Sequence, residues 1–164
     1  MKCLAGSLAL LLACAIFDDG FAQENLDTRF PKPRFVTSNP EVQDMWPCFS
    51  PDSQTLLFTR TTDRKTWNLY TIPITGGQPS PFPAKSPLSG TRANWPARHN
   101  LIAFNGRPDK GQFNLSVING DGLGLRLLQS TGISDRMSYP SWYPDGKSIA
   151  VVDFSRDQGS AIKK

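Results

Sequence analysis

The sequence predicts an all-β protein: β-propeller blades, each a four-stranded antiparallel sheet, in an incomplete ring of two full blades and part of a third. Three observations carry that reading. First, one ten-residue pattern recurs without a gap at Phe49–Phe58, Trp95–Phe104 and Trp142–Val151, the copies starting 46 and then 47 residues apart. An aromatic residue opens each copy, an apolar pair holds the eighth and ninth places, and a large apolar residue closes it. A fixed period of about 20–50 residues marks a repeat fold. Second, Asn68-Leu69 returns as Asn114-Leu115 at the same spacing of 46, so two landmarks share one period. Third, 13 glycines and 14 prolines punctuate the 164 residues between short apolar runs. No window from 36 to 164 sustains a helical period, and each repeat reads as strand, turn, strand, loop, strand, turn, weak strand.

The chain falls into five segments. Residues 1–22 read as a signal peptide: Lys2, an apolar run from Cys3 to Phe17, and Gly20-Phe21-Ala22 placing small residues before a cut after Ala22. The run is too short for a comfortable membrane span. A second processing route is open, because Leu11-Leu12-Ala13-Cys14 is similar to a lipobox, which would anchor the chain to a membrane through lipidated Cys14. Residues 23–43 are an extended proline-rich leader, in which Pro31 and Pro33 disfavour helix. Within it, Arg34–Thr37 is a candidate edge strand, with a plain linker as the alternative.

The first repeat covers 44–90. Trp46–Ser50 is its inner strand and Pro51-Asp52-Ser53 its turn, where proline presets φ and the carboxylate accepts from a nearby backbone N–H. Thr55–Thr61 is the second strand, Thr62–Thr66 a polar loop, and Trp67–Ile74 the third strand. Gly76-Gly77 forms a hairpin turn. The outer strand from Gln78 onward is weakened by Pro79, Pro81 and Pro83, which a sheet edge tolerates.

The second repeat covers 91–136. Asn94-Trp95 enters it, Asn100–Asn105 is the second strand, and Gly106–Gln112 the loop. Phe113–Ile118 is the third strand, Asn119–Gly122 the hairpin turn and Arg126–Leu128 the outer strand. The third repeat covers 137–164: Tyr139–Trp142, the turn Pro144–Lys147, the strand Ser148–Phe154, a loop at 155–160, and the opening of a third strand at Ala161-Ile162. By the period, roughly twenty further residues complete this unit.

Phe49-Ser50-Pro51-Asp52 before Leu56-Leu57-Phe58, and Trp142-Tyr143-Pro144-Asp145-Gly146-Lys147 before Ile149-Ala150-Val151, resemble the WD-like repeat of the TolB propeller family. The likeness covers about 44–162. The second copy departs from it, since Ala97-Arg98-His99-Asn100 replaces the Pro-Asp-Gly turn. The resemblance implies a periplasmic or secreted scaffold. TolB partners a peptidoglycan-associated lipoprotein and carries a separate N-terminal domain, for which 23–44 leaves no room, so the Tol role itself is not carried over.

The chemistry argues for binding and against catalysis. There is no Gly-x-Ser-x-Gly elbow, and the single histidine, His99, leaves no histidine pair for zinc. No catalytic, cofactor-binding or metal-binding residue is assigned, and no cofactor is expected. His99 reads as a solvated turn residue and Cys48 as a small buried one. Asp52 and Asp145 sit in equivalent turns and read as structural. Asn119–Gly122 lacks the spaced carboxylates of a calcium loop. Asn114-Leu115-Ser116 is a glycosylation sequon whose strand position argues against its use.

The formal charge of +4, with no block of Lys and Arg, gives no sign of nucleic-acid binding. Basic residues in the loops between second and third strands form one candidate partner-binding rim: Arg60, Arg64 and Lys65, then Arg107 and Lys110, then Arg156. Such a ring would steer an acidic protein or glycan partner in the envelope. The alternative is that Asp63, Asp109 and Asp157 neutralise these loops.

The reading is a non-enzymatic exported scaffold for protein or ligand binding. The alternative is the N-terminal propeller of a larger exported enzyme, such as a prolyl oligopeptidase-type serine peptidase. An open set of blades exposes strand edges and an apolar face, so self-association is expected.

Overall fold

A computed structural model describes residues 32, 34–85, 87–106, 114–128, 137–154 and 161–164. The described fold lies in the compact unit Phe35–Lys164. The expected signal peptide, the Cys14 lipobox and the first part of the leader lie outside the described residues.

Among the described residues, eleven strands form three antiparallel sheets and no helix occurs. The first sheet runs β1 (Gln43–Phe49), β2 (Thr55–Thr61), β3 (Asn68–Pro73), β4 (Ser80–Pro81), in that order from inner to outer edge. The second repeats it with β5 (Gly90–Asn94), β6 (Leu101–Gly106), β7 (Asn114–Asn119) and β8 (Arg126–Leu127). The third holds β9 (Met137–Trp142), β10 (Ile149–Asp153) and β11 (Ala161–Lys163). This is an unclosed propeller of two four-stranded blades and one three-stranded blade.

Two expectations are corrected. Residues 35–37 join no ladder, so the candidate edge strand at Arg34–Thr37 does not form. Instead the Thr37 side chain hydrogen-bonds to Asp44. The inner strand of the second repeat is Gly90–Asn94, ending where entry was expected. Gly90 is required there, because a Cβ at that position would stand 2.8 Å from the Phe104 ring.

The repeat fixes which residues face which neighbour, since side chains alternate across a strand. Leu57 and Leu69 of the first blade meet Ile102, Phe104 and Ile118 of the second in one buried cluster, with Phe82 and Ala93. Leu115 of the second blade meets Met137 and Val151 of the third in a smaller cluster. Beside that cluster runs an apolar recess of about 350 Å3, lined by Val117, Leu128 and Ile149 among others.

Polar groups of the inner strands stitch neighbouring blades. Asn94 Oδ1 accepts from the Trp142 backbone N–H at 2.9 Å. Cys48, at the equivalent repeat position, is hydrogen-bonded by the Trp95 backbone. Burial pushes the Cys48 thiol up to about 11 despite that bond.

Candidate functional site on the inner strands

Each inner strand holds one large side chain on a left-handed backbone. Trp46, Arg92 and Tyr139 have φ of 51°, 54° and 55°. They follow the repeat, at spacings of 46 and 47 residues. The ladder slips at each of them: between Met45 and Cys48, between Thr91 and Asn94, and opposite Ala150 to Val152 in the third blade. Positive φ is costly for large L-residues, so the same bulge in three blades is a built feature.

A bulge re-aims its side chain, and here the three converge. The Arg92 guanidinium carbon lies 4.5 Å from the Trp46 ring centroid and 4.4 Å from that of Tyr139. The cation is thus sandwiched between two π faces. Its Nη1 donates to Thr91 Oγ1 at 3.3 Å. Its Nε is shielded and finds no acceptor among the described residues. Trp46 packs further on Trp67, and Tyr139 on Phe154. Tyr139 stays 49% exposed, which opens the stack to solvent on the third-blade side.

Asn105 fixes the Tyr139 bulge. Its Nδ2 donates to the Met137 carbonyl at 2.8 Å. Its Oδ1 accepts from Ser138 Oγ at 3.1 Å and from the Tyr139 N–H at 3.2 Å. The side chain is fully buried, so these bonds form where water cannot compete. Thr59, the equivalent residue in the first blade, reaches the Gly90 carbonyl at only 3.5 Å.

A second recess, of about 520 Å3, lies between the β1–β2 and β5–β6 turns and is lined by Asp52, Trp95, Arg98, His99 and Asp121 among others. Its carboxylates serve the turns. Asp52 accepts from the Ser50 hydroxyl at 2.6 Å and from the Gln54 N–H at 3.0 Å, which holds its carboxyl below the usual range. Asp121 accepts from the Leu123 N–H within the β7–β8 hairpin turn. Asp145 does the same for Lys147 in the third blade, in line with the structural role read for this turn.

His99 departs from expectation. Its ring packs edge-on to Trp142 with centroids 4.6 Å apart, and both ring nitrogens are shielded with no partner among the described residues. It fills the space beside Gly146, where a Cβ would run into the imidazole. The turn His is therefore a packing element between blades.

The basic rim divides. Arg60 is a strand residue and not a loop residue: its Nε and Nη2 each donate to the Asp44 carboxylate at 2.7 Å. The guanidinium also lies 5.4 Å from the Phe58 centroid and 5.3 Å from that of Tyr70. At Asp44 burial acts upward, but the Arg60 and Thr37 hydrogen bonds and the Arg60 charge outweigh it and lower the carboxyl. Arg64 and Lys65 are exposed in the β2–β3 loop. Asp63 organises that loop by accepting from the Lys65 and Thr66 N–H groups at 2.8 and 2.7 Å, which pulls its carboxyl far down. Arg107, Lys110 and Arg156 lie outside the described residues. In the sequon, Ser116 is buried. Among the described residues no group of three or more His, Cys, Asp or Glu could hold a metal ion.

The three-blade arrangement matches solved propellers. A protein described as TolB from Agrobacterium tumefaciens aligns over 76% of this chain and 43% of its own, with 18% identity and a TM-score of 0.58. The chain has the TolB-like propeller fold. An oligogalacturonate lyase solved in complex with manganese aligns over 80% of this chain and 38% of its own, with 13% identity and a TM-score of 0.53. The TolB-like chain thus spans less than half the length of either structure. No protein-family model matches it, and no curated protein matches it in sequence.

Sequence reasoning missed the inner-strand stack. The signal was in the period: Trp46, Arg92 and Tyr139 occupy one repeat position, and all three are large. Side-chain type does not announce positive φ, so the bulges stayed hidden.

Proposed function

We propose that this TolB-like propeller is a non-enzymatic, exported scaffold that binds an acidic protein or glycan partner of the cell envelope. The observation that carries the reading is the Arg92 guanidinium held between Trp46 and Tyr139, beside a Tyr139 ring that stays half exposed. A planar cation held between rings is pre-organised for a carboxylate or phosphate and loses little freedom on binding. Arg64 and Lys65, exposed on the β2–β3 loop, add attraction at longer range. The signal-like residues 1–22 and the likeness to TolB support an envelope location.

The test is capture from envelope extract on the immobilised chain. Arg92→Gln should cut recovery of bound partner at least about tenfold, as loss of a charge-assisted bond requires. Recovery should also fall as salt rises. Equal recovery by the variant would sink the reading.

A second reading is favoured by one observation, the span of less than half of either similar structure. In it the blades belong to a larger exported enzyme, such as a prolyl oligopeptidase-type serine peptidase. A Ser elbow in an α/β domain encoded beyond Lys164 would favour this alternative.

A further inference from the structure

The two junctions between blades follow one plan, and the second lacks two rings that the first contains. Phe82 and Phe104 are both buried in the first junction. The Phe82 N–H donates to the Leu69 carbonyl at 2.8 Å. The Leu128 N–H donates to the Leu115 carbonyl at 2.8 Å, so Leu128 stands in the place of Phe82. Val151 closes the third copy of the ten-residue pattern as Phe104 closes the second. Each exchange keeps an apolar side chain and removes a phenyl ring. Interiors are otherwise packed without such voids, and here the recess of about 350 Å3 lies between the two blades.

The walls of that recess come from β6 to β10, with Leu115, Val117, Met137 and Val151 among them. Water gains little against such walls, whereas an alkyl chain regains the burial that the rings would have given. The charged side chains that line it, Arg126, Lys147 and Lys164, are all cations. Arg126 and Lys147 are exposed. At the same repeat positions the first junction has Ser80 and Asn100, which carry no charge. The lost rings and the added cations therefore fall at one junction.

We propose that this recess binds a single-chain carboxylic acid, its alkyl chain between the blades and its carboxylate at Arg126 and Lys147. A volume near the lower end of ordinary ligand pockets takes one chain. Arg126 offers the paired N–H groups that suit a carboxylate. The site differs in place and in ligand from the Arg92 stack.

Calorimetric titration of the full chain with sodium octanoate, decanoate and dodecanoate, each below its micelle concentration, tests this. The expected result is one saturable site whose affinity rises about three- to fourfold per added methylene. Val151→Phe restores the ring of the first junction and should weaken decanoate binding at least about tenfold, since several methylenes lose their place. Leu128→Phe fills the recess from the other wall, and circular dichroism checks that each variant keeps its sheets. Arg126→Glu with Lys147→Glu changes only exposed side chains and should weaken decanoate at least about tenfold. Decylamine, with a comparable chain and the opposite charge, should bind the unchanged protein at least about tenfold more weakly than decanoate. The proposal is overturned if none of the three acids binds saturably, or if decylamine binds as well as decanoate. A folded ring variant, or the double charge variant, that binds decanoate as the unchanged chain does also overturns it.

Discussion

The junction between the first and second blades and the junction between the second and third use one repeat but different adhesives. The first is apolar: Leu57, Leu69, Phe82, Ile102, Phe104 and Ile118 fill it, and its polar link from Thr59 to the Gly90 carbonyl is stretched to 3.5 Å. The second is thinly packed, with Leu115, Met137 and Val151 beside an open recess. There Asn105 makes three bonds and Asn94 a fourth. The hydrophobic effect scales with area and is indifferent to direction, whereas a buried amide fixes one register. A repeat can therefore keep its geometry while exchanging burial for directed bonds.

The sharpest way to break this contrast is at its apolar side. Phe104→Ala should lower stability by about 3–5 kcal/mol, through lost burial and the cavity left behind. The shift in urea midpoint measures it, and a loss below about 1 kcal/mol would contradict the packing described. On the polar side, Asn105→Ala should cost about 2 kcal/mol, because the Met137 carbonyl and the Tyr139 N–H lose their buried partner. Hydrogen exchange should then speed up in β9 and β10 before it does in β1 and β2. Uniform acceleration would show that Asn105 serves the whole fold and not this junction.

A smaller effect is expected at Gly106, where a Cβ would meet Phe104 at 2.8 Å and Ser116 Oγ at 2.9 Å. Gly106→Ala should destabilise by about 1–2 kcal/mol through overpacking, and no change in melting temperature would show that Phe104 yields freely. The smallest concerns acid. Asp44, Asp52 and Asp63 all have carboxyls lowered in the fold. Lowered groups contribute stability in full above their unfolded value, near 4, and lose it as pH falls through the folded value. The melting temperature should be flat from about pH 7 to 5 and fall below about pH 4. Asp44→Asn should flatten that fall slightly, and an unchanged slope would show that the Arg60 pair contributes nothing.

Much of this fold was legible in the sequence. The period pointed to propeller blades, and Pro-Asp and Asn-Gly chemistry pointed to turns, because those residues act through their own backbone. The worn second copy was harder. His99 replaces a glycine-like turn residue, and nothing local tells a solvated imidazole from one packed on a Trp142 that lies 43 residues away in sequence. Arg60 was misplaced for a related reason. Its charge suggested a loop, although it falls inside the strand Thr55–Thr61, where Asp44 across the ladder and two rings beside it make a charged strand residue tolerable. The site was illegible because its defining feature is a backbone angle and not a residue type.

One consequence follows from the way Cys48 is held. A thiol at about 11 is ionised roughly once in a thousand at pH 8, and the thiolate is the form that attacks disulfides. In the oxidising surroundings that export would bring, a reactive lone thiol is a route to mixed disulfides and misjoined chains. By holding Cys48 partly buried at a blade junction, the fold keeps that sulfur chemically quiet, so an unpaired cysteine there would need no partner in such surroundings.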